Sequence, residues 1–312
     1  MKVFLFEFAT CLGDLPAEIA VEGLGMFKSL YEGFIEFCDV VSFIGLDSVS
    51  FDVISFDCDD KFVCHLEKSD FALVIAPETD WNLLKLTKIV EEKGVPNLGS
   101  SSEAIEITSD KWTLYQKLKG KVKMPKTSLK PIEPPFIVKP RVSCGGEGIR
   151  IADNVPDGYI AQEFIKGIDL SVSLIVGDSI EVLSINRQII ESFRYKGAIV
   201  PFDFREDVVE TALKAVESIK GLFGYVGVDI ILSNDEEVFV VDINARITTP
   251  SILFRDVYGI NLAKLLIKNY EGKSIPDYTP RRKMMLKKVE GNRENSYVTW
   301  GGYSLVKEVL NG

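Results

Sequence analysis

Histidine is almost absent from this chain: His65 is the only one in 312 residues. A Ser-His-Asp or Cys-His catalyst would depend on that ring, and no nucleophile-elbow sequence accompanies it. His65 therefore reads as an ordinary surface or half-buried residue, and the chemistry as one without an imidazole base. Cysteine is sparse as well. Cys11, Cys38, Cys58, Cys64 and Cys144 are an odd number without CxxC spacing. They are expected to be reduced thiols in an intracellular protein, neither a disulfide frame nor a zinc site. No apolar run approaches the roughly 18 residues of a membrane span. The short apolar start carries one Lys and is interrupted by Glu7, so it reads as a strand and no signal peptide. A cytoplasmic location is the expectation. Positive charge is also in deficit. A formal charge of −10 argues against a nucleic-acid surface, which needs clustered Lys and Arg. Internal repeats and low-complexity segments are missing too.

What is present is core-forming material. With 46% hydrophobic residues, 312 residues suffice for two or three packed domains. The chain is organised around Val238-Phe239-Val240-Val241-Asp242-Ile243-Asn244-Ala245-Arg246, which reads as a buried strand rich in β-branched residues. A period of two puts Asp242 and Asn244 on one face. The strand Tyr225 to Leu232 precedes it, joined by a polar turn. With Asp235-Glu236 as a two-residue loop, Asp229 lies directly opposite Asp242. Two carboxylates and an amide oxygen then converge, an arrangement that needs a cation to neutralise it. Hard oxygen ligands without His or Cys suit Mg²⁺. Strand-end residues at a turn are the plainer alternative.

Residues 1 to about 100 alternate strand and helix, with strands at Val3-Phe8, Val40-Ile44, Val53-Phe56 and Phe71-Ala76. An apolar stripe at helical spacing runs Leu24, Phe27, Leu30, Phe34, Phe37, and Trp81-Glu92 reads as a second helix. This order predicts an open parallel sheet of α/β class, without the GxGxxG of a dinucleotide fold. Glu7, Glu78 and Asp80 fall beyond its strand ends and read as solvated loop acids. Ser109 or Asp110 caps the next helix, where Lys111 opposes the helix dipole. Strand Phe136-Pro140 carries Lys139, and a Gly-rich loop follows, Ser143-Cys144-Gly145-Gly146-Glu147-Gly148. Such a loop permits backbone N–H groups to approach phosphate. Gln162-Glu163-Phe164-Ile165 offers an extended hinge to a purine edge, and Asp169 a carboxylate to a ribose diol. A further strand ends on Asn186-Arg187-Gln188. The tail reads as one or two returning strands without legible chemistry.

In this order the motifs resemble the ATP-grasp superfamily. The likeness runs from Ser109-Asp110-Lys111 through Ile137-Val138-Lys139-Pro140, the Gly-rich loop, Gln162 to Ile165 with Asp169, and Gly227-Val228-Asp229 to Val241-Arg246. The first third suits that family's preceding Rossmann-like domain. The resemblance implies three units: residues 1–105, a lid at 106–168, and a catalytic part at 169–312, α+β in character. Within the superfamily, Phe6-Glu7-Phe8, Glu22-Gly23, Lys28-Ser29-Leu30 and the Asn186-Arg187-Gln188 strand look like archaeal tyramine–glutamate ligases of methanofuran biosynthesis.

The resemblance implies ATP, with Mg²⁺ or Mn²⁺, and small-molecule acid and amine substrates; the assembly is left open, a homodimer included. Lys111, Lys139 and Ser143 would meet phosphates, and Gly145, Gly146 and Gly148 would close over them. Glu163 and Ile165 would meet adenine and Asp169 the ribose. Asp229, Asp242 and Asn244 would bind the metal. Arg246 would face the γ-phosphate or acyl phosphate. Two positions depart from the pattern: Asp242 stands where many members have Glu, and Gly227 where many have Arg, a charge that Arg187 would supply. A nucleotide-binding regulatory protein, an ATP-dependent carboxylase component and a Ca²⁺-binding module are the rival readings.

Overall fold

The structure, a computed structural model, describes residues 1–310. Its first strand, β1 (Lys2–Glu7), is a near-continuous apolar run buried on both faces, as the central strand of a parallel sheet must be. It lies between β2 (Asp39–Val41) and β3 (Phe71–Ile75), all parallel. Helices Ala17–Phe34 and Asn82–Glu92 pack against this sheet. The expected strand at 53–56 shrinks to one parallel bridge between Ile54 and Val41. Asp52 and Asp57 flank it and keep the segment at the half-exposed sheet edge. Phe37 lies beyond the helix that ends at Phe34.

The cysteine expectation needs correcting. Cys58 and Cys64 form a disulfide, because the Asp60-capped helix Lys61–Glu67 turns the chain back and brings their Cα atoms to 6.6 Å. His65 is fully buried. Its Nε2 accepts the Phe56 N–H at 3.0 Å, and its Nδ1 donates to the Lys61 carbonyl at 2.6 Å.

A small antiparallel sheet follows, β4 (Thr127–Ser128), β5 (Phe136–Pro140) and β6 (Tyr159–Glu163), in the order β4-β6-β5. It has a core of its own, built on Phe136, Val138 and Ala161. The large antiparallel sheet comprises β7 (Gly167–Val176), β8 (Ile180–Glu191), β9 (Arg194–Val200), β10 (Gly224–Ser233), β11 (Val238–Asn244), β12 (Lys283–Glu290), β13 (Val298–Trp300) and β14 (Tyr303–Leu310). Its order is β11-β10-β7-β8-β9-β12-β14-β13, so the tail strands extend the sheet past β9. One continuous core joins this sheet to the parallel one. The fold is thus α/β at the start and α+β afterwards. Among the described residues no helix is long and apolar enough to cross a membrane.

Candidate active site

The strand that carries Asp242 reaches the expected register by an unexpected route. The β10–β11 turn holds three residues, Asn234 to Glu236, with Glu236 at φ 62° and Ser233 bonded to Glu237. That extra residue would displace every later pair by one. A β-bulge opposite the Asp229–Ile230 step restores the phase, and Asp229 pairs with Asp242 as expected. The bulge also lets consecutive residues Val241 and Asp242 both line the cavity.

Asp229 is half-buried and accepts from Gln188 Nε2 and from Asn244 Nδ2, each at 2.9 Å. The bond to Asp229 leaves Asn244 Oδ1 as its available acceptor. Burial pushes the Asp229 carboxyl up to about 7, and the charge of Asp242 adds to this. The cluster is short of positive charge and its donors are hard oxygens, which fits Mg²⁺. One lysine partly answers it: Lys111 Nζ lies 3.2 Å from Asp242 Oδ2 and donates to the Ser143 carbonyl at 2.8 Å. That pairing explains a lysine at a helix start, where the dipole disfavours it. The helix itself is capped by Asp110, which accepts the Trp112 N–H at 3.0 Å.

Lys139, at the end of β5, is 3% exposed and makes no salt bridge among the described residues. Burial pushes its ammonium down to about 8; Lys111 beside it acts in the same direction and Asp242 against it. Two lysines held this close in a desolvated place are a site for a polyanion. The Gly-rich loop lies beside them. Gly146 has φ +76°, and a Cβ there would stand 1.8 Å from the Phe193 carbonyl oxygen, so only glycine lets the loop rest on the β8–β9 turn.

These groups face one cavity of about 780 Å³, bounded by all three sheets. Lys111, Lys139, Ser143, Gly145, Gly146, Glu163, Ile165, Asp169, Asp229, Asp242, Asn244 and Arg246 line it. Burial raises the Asp169 carboxyl above its ordinary value. Glu163 Oε2 accepts the Lys126 N–H at 3.0 Å, which ties the end of β6 to the chain entering β4. Gly148 is not part of the lining; it turns the loop against Pro140.

Arg187 is not brought in either. It is exposed in mid-strand, and the period of two that points Gln188 at Asp229 turns Arg187 to the opposite sheet face. The charge expected to compensate for Gly227 therefore does not come from Arg187. A side chain at Gly227 would also meet Thr248 Cγ2 at 2.9 Å.

The acids beyond the parallel strands are not solvated loop residues, except Asp80, which is exposed. Glu78 is buried and holds Arg246 by two bonds, Nε–Oε1 at 2.8 Å and Nη2–Oε2 at 2.9 Å. Glu7 caps helix Phe8–Leu12, accepting the Thr10 N–H at 2.7 Å, and burial raises its carboxyl. Sequence reasoning missed Gln188, Tyr195 and Lys288, all of which line the cavity. Gln188 was legible from its distance of two from Asn186 on a strand. The other two carried no motif.

The family model described as an ATP-grasp domain matches residues 108–250, and the pre ATP-grasp 3 domain matches residues 51–105. Tyramine–L-glutamate ligase of Methanocaldococcus jannaschii is 38% identical over 288 residues, covering 86% of this chain and 88% of that protein. The chain belongs to the ATP-grasp superfamily. A crystal structure of an ATP-grasp superfamily protein from Archaeoglobus fulgidus is 46% identical, with a TM-score of 0.89 and full coverage of both chains. The fold, at 14% identity and a TM-score of 0.72, is also that of the biotin carboxylase domain of Hydrogenobacter thermophilus 2-oxoglutarate carboxylase. That structure holds MgADP, and the match covers 99% of this chain and 85% of that one. This ATP-grasp protein is an ATP-dependent carboxylate–amine ligase.

Proposed function

We propose that the enzyme joins L-glutamate to tyramine, an amide-forming step of methanofuran biosynthesis. The observation that supports it is the meeting of Lys111, Lys139, Arg246 and the Asp229–Asp242–Asn244 cluster in one cavity, in a chain 38% identical to a tyramine–L-glutamate ligase. A carboxylate oxygen of the acid bonds to the γ-phosphorus of ATP, and the bridging P–O bond breaks to release ADP. The amine nitrogen then bonds to the acyl carbon, the C–O bond to phosphate breaks, and the amine loses a proton. Phosphoryl transfer needs placement and charge neutralisation more than covalent help, which suits a site without histidine.

Lys111 and Lys139 hold phosphate oxygens, Ser143, Gly145 and Gly146 offer backbone groups around them, and Gly148 shapes that loop. Glu163 and Ile165 border the adenine, and Asp169 takes the ribose diol. Asp229, Asp242 and Asn244 would hold Mg²⁺, with Mn²⁺ as a substitute of the same donor preference; the ion would neutralise phosphate charge. Arg246, oriented by Glu78, stabilises the oxyanion that develops when the amine attacks.

The purified protein with Mg²⁺, ATP, L-glutamate and tyramine should release ADP in step with a new amide detected by mass spectrometry. ADP release with other acids or amines, and none with this pair, would overturn the substrate assignment.

A further inference from the structure

One arm of the cavity holds charges that neither the phosphate nor the metal assignment uses. Glu18 and Glu22 stand four apart on helix Ala17–Phe34 and so share a face. Lys288 reaches them from β12, in the tail. Its Nζ lies 2.5 Å from Glu22 Oε1 and 3.4 Å from Glu18 Oε1, while Lys196 Nζ lies 3.2 Å from Glu18 Oε1. Thr249 Oγ1 donates to Glu22 Oε2 at 2.9 Å, so Glu22 is fixed from both sides. The Lys288 side chain is 5% exposed and that of Glu22 16%. Both still line the cavity, as do Glu18, Tyr195 and Thr249.

Next to this pair is a polar atom without a partner. The Tyr195 hydroxyl is buried and makes no hydrogen bond of good geometry among the described residues, the Thr249 hydroxyl beside it being engaged to Glu22. An orphaned buried hydroxyl carries a desolvation cost that a ligand at this place would recover. Burial raises the phenol well above its ordinary range, and the charges of Glu22 and Asp229 add to this while the Thr249 hydroxyl acts against it.

A fixed, desolvated ammonium–carboxylate pair complements a molecule that carries one ammonium and one carboxylate side by side. Docking such a zwitterion leaves the net charge of the arm unchanged, and the protein groups are already ordered. L-Glutamate has two carboxylates, and only one can be consumed; the other stays anionic and needs a cation. Lys288, which is not among the residues assigned to ATP and the metal and is paired here with Glu22 and Glu18, is a cation for that task.

We propose that Lys288 and Glu22, seconded by Glu18, clamp the α-carboxylate and α-ammonium of the amino-acid substrate, with Tyr195 bonding along its length. The side-chain carboxylate then points to the metal cluster and is the one activated. This rests on the glutamate ligase reading and names the residues that select its acid.

The test is calorimetric binding of L-glutamate, L-isoglutamine (α-carboxylate neutralised) and glutarate (no ammonium), with ADP release followed in parallel. The wild-type enzyme should bind L-glutamate at least tenfold more tightly than either analogue. Lys288→Met should weaken L-glutamate about 30-fold, the loss of one charge-assisted bond, and bind glutamate and isoglutamine within about threefold of each other. Lys288→Arg keeps the charge and should keep the preference. Glu22→Gln should equalise glutamate and glutarate. Melting curves establish that each variant is folded.

Retention of the wild-type preference in Lys288→Met, equal losses for glutamate and isoglutamine in that variant, or no glutamate binding by the wild type would each overturn the clamp. Selective glutamate binding by the wild type, lost in Lys288→Met, without ADP release at any amine would sink the ligase substrate assignment instead and leave the clamp standing.

Discussion

The small sheet and the large sheet face each other across the same cavity and are built to different standards. Asp229, Asp242 and Asn244 stand on strands backed by a core that runs without interruption into the parallel sheet. Lys139 stands on a sheet whose separate core is three buried residues, Phe136, Val138 and Ala161. The proposed metal ligands are on the deep foundation, and Lys139, one of the two lysines proposed to meet a phosphate chain, is on the shallow one. A point charge such as a lysine tolerates small shifts of its support; a set of oxygen ligands does not. The shallow half also bears a cost that Asp242 and Asp229 offset only in part, because Lys139 is buried with no salt bridge among the described residues.

Breaking the deep side should have the largest effect. Asp242→Ala is expected to reduce ADP release by at least about a thousandfold, since a metal ligand supplies several kcal/mol of charge stabilisation. Its circular dichroism should be unchanged, because Asp242 is a partly exposed residue whose one ion pair among the described residues is with Lys111. An active, Mg²⁺-dependent variant would remove the metal assignment.

On the shallow side, Lys139→Met should trade function for stability. Relieving the buried charge should raise stability by about 1–3 kcal/mol while ATP affinity falls roughly a hundredfold. Thermal melts and ATP titration read the two separately. The pH dependence has a definite sign. Between about 8 and the ordinary value of 10.5, the folded form leaves Lys139 neutral while the unfolded chain binds a proton. Stability contributed by this group therefore rises with pH through that window, and the cost is borne in full below it. ATP affinity of the nucleotide-free enzyme should go the other way and fall above about pH 8, with a flat profile in Lys139→Met.

A matched pair of truncations compares the two cores directly. Val138→Ala and Val228→Ala each empty a fully buried site and should cost about 2 kcal/mol. Val228→Ala should lower the global unfolding midpoint. Val138→Ala should instead appear as faster hydrogen exchange confined to residues 127–163, with the global midpoint nearly unmoved. The smallest effect is expected at Arg187→Ala, within about twofold of wild-type turnover, because its side chain faces away from the cavity.

Much of the cavity lining proposed for phosphate and metal was legible because its residues sit at strand ends or helix starts, where local pattern and position coincide. Asp242 and Asn244 follow from a period of two, and Lys111 stood out by opposing its own helix dipole. The rest depended on distance along the chain. Lys288 meets Glu22 across 266 residues, and nothing in either neighbourhood announces the other. Arg187 was misread because a charge near a motif is attractive, while the strand's alternation, already visible, pointed it outward. The Cys58–Cys64 bond escaped because an odd cysteine count suggested thiols, and the turn that joins them comes from an Asp60 cap. The strand at 53–56 was overcalled because apolar alternation cannot tell a paired strand from an edge segment held by one bridge.

The three-residue turn and the bulge in β11 work as two errors that cancel. The segment nearer the turn keeps Val240 fully buried in the core, and the segment beyond the bulge keeps Asp242 at the cavity. Deleting one turn residue alone, or the bulged residue alone, leaves a strand out of phase with one of these obligations. Only a double deletion conserves both. Hairpin length here is therefore inherited as a linked pair of positions some five residues apart, and an insertion or deletion at either one has no silent version.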